Sequence, residues 1–334
     1  MAEVDSTNMY GMVKSFPELL TRVRIDPGTH ETCIHLHDKG LRGISIIGMG
    51  GSAIAGLYVQ ALLRGSSTIP IVTNREYSLP AYIDSNWAII AVSYSGNTEE
   101  TLAAYDEAFS RECHIFKIAS GGSLLERNGS LGEIKIPGGF QPRAAFPLMF
   151  SSVLNLIECL TGLDQTKLDN VAITLSEKVA KWETSSLTPR VMAEDLSGYV
   201  PVFIGSGHLA AVAYRAKTQI NENAKTMAFF SEIPESNHNE IECFAGENEY
   251  LIQPVFLRSS YEDDRIRKRV DITTSLYEEE GYSPIRLSIG SSSKTEEMLA
   301  LTFYLDLVSV ELANIKEVNP VSVDRIRKLK EHLG

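Results

Sequence analysis

The sequence has few basic residues for its length, and this shortage limits the partners that it can bind. Its 334 residues include 31 Lys and Arg against 43 Asp and Glu, which gives a formal net charge of −12. An acidic protein is a poor partner for nucleic acids and for anionic membrane surfaces, since both carry negative charge. An anionic substrate would have to be held by local dipoles against this unfavourable overall field.

Cysteines and long apolar runs are also scarce. Cys33, Cys113, Cys159 and Cys243 are scattered without the spacing of a metal site, and four free thiols are typical of a reducing cytoplasm. The N-terminus carries no basic-then-apolar signal, and no apolar run approaches the roughly 18 residues of a membrane-spanning helix. We therefore expect a cytoplasmic protein without a membrane segment.

Three histidines lie close together near the N-terminus, at His30, His35 and His37. A metal site needs further ligands with a defined geometry, and the sequence places none beside them. We expect no metal here, and we expect residues 1 to about 40 to form helices.

A hydroxyl-rich turn is the most informative stretch of the chain. Residues 93–101 read S-Y-S-G-N-T-E-E-T, after the apolar, strand-length run 87–92 and before a segment with helical spacing. Ser93, Ser95 and Thr98 supply three hydroxyls at the point where the free N–H groups and the positive dipole end of the helix meet. This combination suits a phosphate, although the turn contains no Lys or Arg.

The same turn also has the features of an ordinary helix start. Gly96 permits a left-handed backbone, and Asn97 with Glu100 three residues later fits a capping box. A plain helix cap is therefore the alternative to a phosphate site.

A glycine-rich loop follows an earlier predicted strand. Residues 43–47 read G-I-S-I-I and are predicted to form a buried strand, and residues 48–56 read G-M-G-G-S-A-I-A-G before a helix. Gly50 and Gly51 permit close approach of a ligand, and Ser52 adds a hydroxyl at the helix N-terminus. Two such loops at the carboxyl ends of parallel strands are where open α/β sheets bind ligands.

Strands and helices alternate along the chain, and the pattern occurs twice. Such alternation predicts doubly wound parallel sheets flanked by helices. We predict two tandem α/β domains, residues 1–160 and 191–334, joined by a helical connection at 161–190. The predicted strands are 44–47, 70–73, 87–92 and 114–119 in the first domain, and 199–204, 251–257 and 285–290 in the second.

The two predicted domains differ at the hydroxyl turn. In the second domain residues 258–264 read R-S-S-Y-E-D-D, which lacks the G-N-T sequence and brings acidic residues to the helix start. Those carboxylates would repel a phosphate. We expect one phosphate site per chain, in the first domain.

The glycine loop G-M-G-G-S-A and the turn S-Y-S-G-N-T-E-E-T resemble the sugar isomerase (SIS) family of phosphosugar-binding domains. The resemblance is closest to its branch of bifunctional phosphoglucose/phosphomannose isomerases, and residues 219–225 and 234–241 match that branch as well. It implies two flavodoxin-like SIS domains. It also implies isomerisation of glucose 6-phosphate and mannose 6-phosphate to fructose 6-phosphate through a cis-enediol(ate), without metal, nucleotide or other cofactor. The phosphate would be held by Gly51, Ser52, Ser93, Ser95 and Thr98.

The resemblance also implies two catalytic residues in the second domain. Glu222 matches the proton-transfer base, whereas its position opposite an apolar helix stripe favours, taken alone, a solvent-facing carboxylate. His238 matches a ring-opening residue that comes from the neighbouring subunit, so the active enzyme would be a homodimer. From the residues alone, a surface or capping histidine is the alternative.

Two basic residues complete the candidate set. Lys330 lies on the apolar stripe of the predicted C-terminal helix, where it either snorkels or has a partner, and the family places its second ring-opening residue there. Arg143 follows Pro142 at a predicted helix start, where its charge opposes the helix dipole. We interpret Arg143 as the stabiliser of an anionic intermediate, with a plain surface arginine as the alternative.

One segment departs from the pattern of the branch. Residues 319–322 read N-P-V-S where the branch often reads D-P-T-P. A hydroxyl near C1 and C2 of the sugar is lost or moved to Ser322, which puts the preference between the two substrates in doubt.

Two functions of other classes stay open. A nicotinamide-dependent oxidoreductase would use the glycine loop 48–53, but the next predicted strand ends in Asn74 instead of the usual acidic residue. A phosphosugar-sensing regulatory module would keep the hydroxyl turn and would need neither Glu222 nor Lys330.

Overall fold

The computed structural model describes residues 8–244 and 251–333, and contacts divide them into two compact units. The first unit is Ser15–Thr174, and the second runs from Leu175 onwards and includes the short helix that ends at Lys14. The strands are β1 (Gly43–Ile47), β2 (Ile71–Asn74), β3 (Trp87–Ser93), β4 (His114–Ala119), β5 (Ser130–Lys135), β6 (Val200–Ser206), β7 (Phe229–Ile233), β8 (Ile252–Leu257) and β9 (Ile285–Leu287).

The helices separate these strands along most of the chain, as parallel connections require. They are α1 (Met9–Lys14), α2 (Phe16–Leu20), α3 (Pro27–Lys39), α4 (Gly50–Leu63), α5 (Glu99–Ser110), α6 (Ser123–Glu126), α7 (Phe146–Thr161), α8 (Leu168–Trp182), α9 (Pro189–Leu196), α10 (His208–Ala224), α11 (Asp264–Glu279), α12 (Lys294–Ile315) and α13 (Asp324–Leu333).

The first unit contains a five-stranded parallel sheet in the order β2-β1-β3-β4-β5. Every residue of β1 and β3 is buried, so both faces of these central strands are covered. Continuous burial explains why their sequences are mostly apolar, with Ser45 and Ser93 as the polar members, and do not alternate. The register pairs Ile47 with Ala91 and Ser93 with Ala119, which aligns the carboxyl ends of three neighbouring strands.

The second unit contains a four-stranded parallel sheet in the order β7-β6-β8-β9. In both sheets the strand that comes first in the sequence lies between the second and the third strands. This is the strand order of flavodoxin-like folds. The predicted α/β class with parallel sheets flanked by helices is confirmed.

Two strands were absent from the sequence prediction, β5 and β7. Both lie at sheet edges, where one side of the strand is uncovered. β5 alternates partly buried and exposed residues over most of its length, and β7 exposes Phe229 and Phe230. Neither therefore has the continuous apolar run by which the central strands were recognised.

The expectation about long apolar segments was wrong for α12. Its 22 residues are long and apolar enough to cross a membrane by length and composition, the one such helix in the described part of the chain. However, 83% of its most apolar window is buried inside the fold. We therefore interpret α12 as the core helix of the second unit, which its packing against α1, α9 and α10 explains.

A buried polar seam joins α10 to α12. Arg215 donates from Nη2 to Asp306 Oδ2 at 2.6 Å and from Nε to Asp306 Oδ1 at 3.1 Å, and both side chains are at most 2% exposed. Two turns further along α10, Asn223 donates to Ser309 Oγ at 2.8 Å. Directional contacts of this kind fix the rotation of α10 about its own axis, which apolar packing alone does not.

The seam predicts a large effect of breaking the ion pair. Asp306→Ala should lower the free energy of unfolding of the second unit by about 3–5 kcal/mol, because Arg215 would be left charged and buried. Urea denaturation followed by Trp182 fluorescence measures this, since Trp182 packs on Phe303 and Tyr304 of α12. Trp87 is the other tryptophan of the chain and should be replaced by Phe in every chain compared, so that the fluorescence comes from Trp182 alone.

The matched control removes both charges. Arg215→Met with Asp306→Leu should recover most of the lost stability, because no uncompensated charge remains. A single Asp306→Ala variant that loses less than about 1 kcal/mol would contradict the assignment of a buried ion pair.

Candidate active site

The glycine loop and the hydroxyl turn lie side by side in the first unit. They follow β1 and β3, which are adjacent parallel strands, so both loops leave the same edge of the sheet. At Gly48 a Cβ atom would lie 2.8 Å from the Val92 carbonyl oxygen, so the two backbones approach too closely for any side chain. Gly50 has φ +52°, a conformation that glycine adopts without steric cost. The structure thus brings together the two loops that the sequence predicted.

The hydroxyls of the turn are arranged around one another. Ser93 Oγ and Thr98 Oγ1 are 2.9 Å apart, Gly96 N donates to Ser93 Oγ at 3.1 Å, and Asn97 N donates to Ser95 Oγ at 3.2 Å. Ser93 is buried, Thr98 is half-buried and Ser95 is exposed. The turn therefore presents Ser95 and Thr98 to the outside over a buried Ser93.

The predicted capping box is wrong. α5 begins at Glu99 with Thr98 as its N-cap, and the Thr98 hydroxyl pairs with Ser93 instead of with a helix amide. Asn97 Oδ1 accepts a hydrogen bond of 2.9 Å from Ser123 N in a different loop. The polar side chains of the turn thus bond to one another and to the neighbouring loop, and none of them caps the first N–H groups of α5. These N–H groups can therefore donate to an external acceptor, which favours a phosphate site over the plain-cap alternative.

A third loop, after β4, clamps the turn, and the sequence analysis missed it. Gly96 has φ +71°, and a Cβ there would lie 1.8 Å from the Gly121 carbonyl oxygen. Ser120 donates through N and Oγ to the Tyr94 carbonyl at 3.0 and 2.6 Å, and Leu124 N donates to the Gly96 carbonyl at 2.8 Å. The adjacent glycines at 121 and 122 were the available signal for this close approach.

Tyr94 connects the turn to the segment that carries Arg143. Its hydroxyl donates to the Pro137 carbonyl at 3.3 Å and accepts from Phe140 N at 2.9 Å. Burial raises the pKa of Tyr94, although the Phe140 hydrogen bond opposes this, so the phenol stays protonated near neutral pH.

Arg143 is buried, with 4% of its surface exposed, so the surface-arginine alternative is wrong. The helix start was also misplaced, since α7 begins at Phe146 and Arg143 lies in the turn before it. The backbone of Pro142 and Arg143 runs beside Gly51, whose Cβ would lie 3.5 Å from Pro142 O and 3.8 Å from Arg143 Cα. Arg143 is therefore a buried arginine whose backbone lies beside the glycine loop.

Ser52 lies in the first turn of α4 and is buried. Its hydroxyl donates to Met149 Sδ at 3.3 Å, and a thioether is a weak acceptor. The exchange of that contact for a phosphate oxygen would therefore be favourable.

Glu222 lies in the last turn of α10. The predicted apolar stripe of this helix is buried, but the polar seam covers a second face, so Glu222 is half-buried and not simply solvent-facing. Lys225, three residues after Glu222, donates from Nζ to the Glu222 carbonyl at 2.5 Å and to the Ser322 carbonyl at 2.7 Å. The structure thereby brings the divergent segment 319–322 next to the helix end that carries Glu222.

His238 ends a short 3₁₀ helix, Glu235–His238, and its side chain is exposed. The residues on either side are anchored: Asn237 donates to Thr273 Oγ1 at 2.8 Å, and Asn239 donates to Glu235 Oε1 at 3.1 Å. The imidazole is therefore presented outward from a fixed turn.

The expectation that Lys330 lies on a buried stripe is wrong for the single chain. Over the described residues 324–333, α13 has no buried residue, and Leu329 and Leu333 are 61% and 67% exposed. The apolar stripe that the periodicity predicts is present but uncovered, and Lys330 is exposed beside it.

The described residues also bear on metal and nucleotide binding. Within residues 8–244 and 251–333, no group of three or more His, Cys, Asp or Glu side chains is placed to hold a metal ion. β2 ends at Asn74, whose side chain donates to the Ser78 carbonyl at 3.0 Å, so a ribose-binding carboxylate is not supplied there.

Comparison with known proteins adds to this geometry. Residues 188–333 match the model of the bacterial phospho-glucose isomerase C-terminal SIS domain. The bifunctional phosphoglucose/phosphomannose isomerase of Aquifex aeolicus is 36% identical over 298 residues, which covers 87% of this chain and 90% of that protein. The chain belongs to the bifunctional phosphoglucose/phosphomannose isomerase family.

Other relatives of this bifunctional isomerase family differ in reaction. The D-glucosamine-6-phosphate 4-epimerase of Sulfolobus acidocaldarius is 32% identical over 296 residues, covering 88% of this chain and 90% of that protein. The crystal structure of tagatose-6-phosphate ketose/aldose isomerase from Escherichia coli has a TM-score of 0.73 at 15% identity, covering 94% of each chain, which shows a shared fold. The reaction of this family member must therefore be argued from its own residues.

The clamp on the hydroxyl turn yields a stability prediction for this family member. Gly96→Ala should lower the free energy of unfolding of the first unit by about 3 kcal/mol or more, because φ is positive and the new Cβ overlaps a carbonyl oxygen. Gly40→Ala is the matched control, since its φ is +82° but the space around its Cβ is open, and it should cost about 1 kcal/mol. Urea denaturation read from Trp87 in a Trp182→Phe background separates the two, and equal losses would contradict the clamp.

Proposed function

We propose that this chain isomerises glucose 6-phosphate and mannose 6-phosphate to fructose 6-phosphate. The observation that carries the proposal is the pair of apposed loops in the first unit, with exposed hydroxyls and a buried arginine beside them, in a member of this family. Several relatives are named bifunctional phosphoglucose/phosphomannose isomerases, among them the one from Aquifex aeolicus.

The phosphate group of the sugar binds at the two loops. Ser95 and Thr98 donate hydroxyls, and the amides of Gly51 and of the start of α5 donate N–H groups. Ser93 supports Thr98 from below at 2.9 Å, and Ser52 exchanges its weak thioether contact for a phosphate oxygen. Remote anchoring of this kind holds the reacting carbons in place for the base.

The chemistry is a proton transfer between C1 and C2 through a cis-enediol(ate). Glu222 removes and returns the proton, and Arg143 stabilises the negative charge that develops on the enediolate oxygens. His238 and Lys330 act as the acid/base pair that opens the sugar ring. Because glucose and mannose 6-phosphates share one enediol, a single base serves both substrates, and neither a metal nor a nucleotide cofactor takes part.

The proposal includes the arrangement of the enzyme. The chain comprises two tandem SIS domains, residues 1–160 and 191–334, with 161–190 as a helical connection; α1 groups with the second unit although it precedes the first in the chain. The active form is a cytoplasmic homodimer in which His238 is contributed across the subunit interface. The exposed imidazole and the uncovered stripe of α13 both support an assembly in which a second copy approaches the second unit.

The base assignment gives a sharp test. Glu222→Gln should lower kcat by about 10²–10⁴ with substrate binding kept, because the amide cannot accept the proton but preserves the side-chain shape. Deuterium incorporation at C1 of fructose 6-phosphate in D₂O, followed by NMR, measures the transfer directly. Glu279→Gln removes an exposed carboxylate of α11 and should exchange at the normal rate. Retained exchange in Glu222→Gln would remove Glu222 from the role of base.

The phosphate assignment predicts a different kinetic signature. Ser95→Ala with Thr98→Ala should raise KM by about 10- to 100-fold and leave kcat within about threefold, since two hydrogen bonds to an anion are lost in ground and transition states alike. A coupled assay with glucose 6-phosphate and with mannose 6-phosphate gives both constants. A fall in kcat at unchanged KM would contradict a simple anchoring role.

The alternative is a phosphosugar-binding regulatory module without catalysis. The same coupled assay on the unmodified chain distinguishes the two, because a binding module retains affinity for the sugar phosphates and shows no turnover. Inclusion of glucosamine 6-phosphate in the assay tests the 4-epimerase reaction named for the Sulfolobus relative.

A further inference from the structure

The second unit has a pair of loops at the same edge of its sheet. They follow β6 and β8, which are adjacent parallel strands. Gly207 opens the first of them with φ +53°, as Gly50 does in the first unit with φ +52°. The second loop carries Ser259 and Ser260 directly after Arg258, in the position of the hydroxyl turn.

These loops surround a carboxylate of the chain itself. Glu297, on the first turn of α12, is fully buried, and its Oε2 accepts from Ser259 Oγ at 2.6 Å. Its Oε1 accepts from Ser260 N at 2.8 Å, and His208 Nε2 lies 2.8 Å from Oε2. A hydroxyl, a backbone amide and an imidazole thus converge on one oxyanion, a donor set that also suits phosphate.

The three side chains do not form a catalytic triad. In a triad the histidine uses one ring nitrogen for the serine and the other for the carboxylate. Here the same atom, His208 Nε2, faces both Glu297 Oε2 at 2.8 Å and Ser259 Oγ at 3.4 Å. The Ser259 hydroxyl donates its proton to the Glu297 carboxylate and not to the histidine, so the histidine does not activate the serine as a nucleophile. The cluster therefore has the geometry of an anion-binding site.

One acidic residue before α11 also reaches this site, because Glu262 Oε1 accepts from Ser259 N at 3.0 Å. The charge of Glu262 is compensated by Arg258, which donates to it at 3.0 and 3.2 Å and also pairs with Asp271 at 2.7 Å. Asp263 caps α11 by accepting from Ile266 N at 2.9 Å. Both carboxylates are therefore satisfied by nearby groups. The carboxylate that accepts from Ser259 Oγ and Ser260 N is Glu297, more than thirty residues further along the chain.

The two units also differ in the charge placed beside the loops. In each unit the glycine loop opens a helix that packs against a later helix: α4 packs on α7, and α10 packs on α12. Arg143 lies three residues before the start of α7, whereas Glu297 lies in the first turn of α12. The first unit thus has an arginine in the segment beside its loops, whereas the second brings a carboxylate into them. The donors around it lower the pKa of Glu297 even though burial opposes this, so the group is ionised at neutral pH.

We propose that the loops after β6 and β8 form an oxyanion site whose ligand is the Glu297 carboxylate, so that removal of this carboxylate opens the site to a small oxyanion such as inorganic phosphate. The second unit binds no external anion in the native chain because the tethered Glu297 carboxylate occupies the donors. Its effective concentration at the site is high enough to exclude a free anion. The inference stands apart from the proposed isomerase reaction, since it rests on contacts within the second unit alone.

Isothermal titration with inorganic phosphate tests the proposal on the full-length chain. All variants carry Ser95→Ala and Thr98→Ala, so that phosphate binding in the first unit is weakened equally and is measured in the background chain. Glu297→Ala should bind one more equivalent of phosphate per chain than the background, at ionic strength held constant with KCl. Addition of Ser259→Ala should weaken the gained binding at least about 10-fold, because one donor is lost.

Glu296→Ala is the matched control. Glu296 is also buried in the first turn of α12, but its carboxylate accepts from Ser292 and pairs with Lys178 at 3.2 Å, outside the two loops. It should gain no phosphate site. If Glu297→Ala unfolds in KCl, circular dichroism should show that phosphate refolds it. A folded Glu297→Ala chain without the extra equivalent, a chain that stays unfolded at high phosphate, or an equal gain in Glu296→Ala would each overturn the proposal.

Discussion

Helices begin at the carboxyl edge of a parallel sheet, and their first backbone N–H groups require hydrogen-bond acceptors. The two units supply these acceptors differently. In the first unit the hydroxyls of Ser93 and Thr98 pair with each other and hold the turn in shape. In the second unit Glu297 reaches into the equivalent edge and accepts from Ser259 and Ser260. One sheet topology therefore yields a cradle suited to an external anion in one unit and an internally satisfied contact in the other.

The rotational setting of α10 is the second constraint on the chemistry. Apolar packing along one stripe lets a helix rotate by small amounts, whereas Arg215 with Asp306 and Asn223 with Ser309 hold it by directional bonds. Glu222 immediately precedes Asn223 in the chain, so the direction of its side chain is set by the same hydrogen bonds. Lys225 then ties the helix end to the segment at Ser322. The hydrogen bonds of α10 would in this way hold Glu222, the proposed base, in a defined direction.

The sequence predicted the central strands and both ligand loops because these depend on local features: continuous apolar runs, glycine pairs and clustered hydroxyls. It missed what depends on distant residues. The clamp of Gly121 on Gly96, the Tyr94 bonds to the segment before Arg143, and the Glu297 carboxylate all join positions more than twenty residues apart. Helical periodicity identified the apolar stripe of α13 correctly but could not tell whether anything covers it, since burial depends on tertiary and quaternary neighbours.

Tyr94 lies between the two serines of the hydroxyl turn, and its phenol holds the segment that leads to Arg143. In the proposed site, the loop that anchors the phosphate and the segment that leads to Arg143 would thus be joined through Tyr94. Binding energy gained at the ester group would then be used to orient the guanidinium as well. An unphosphorylated sugar of the same ring would accordingly be turned over slowly even at saturation, and free phosphate added beside it would restore part of the lost rate.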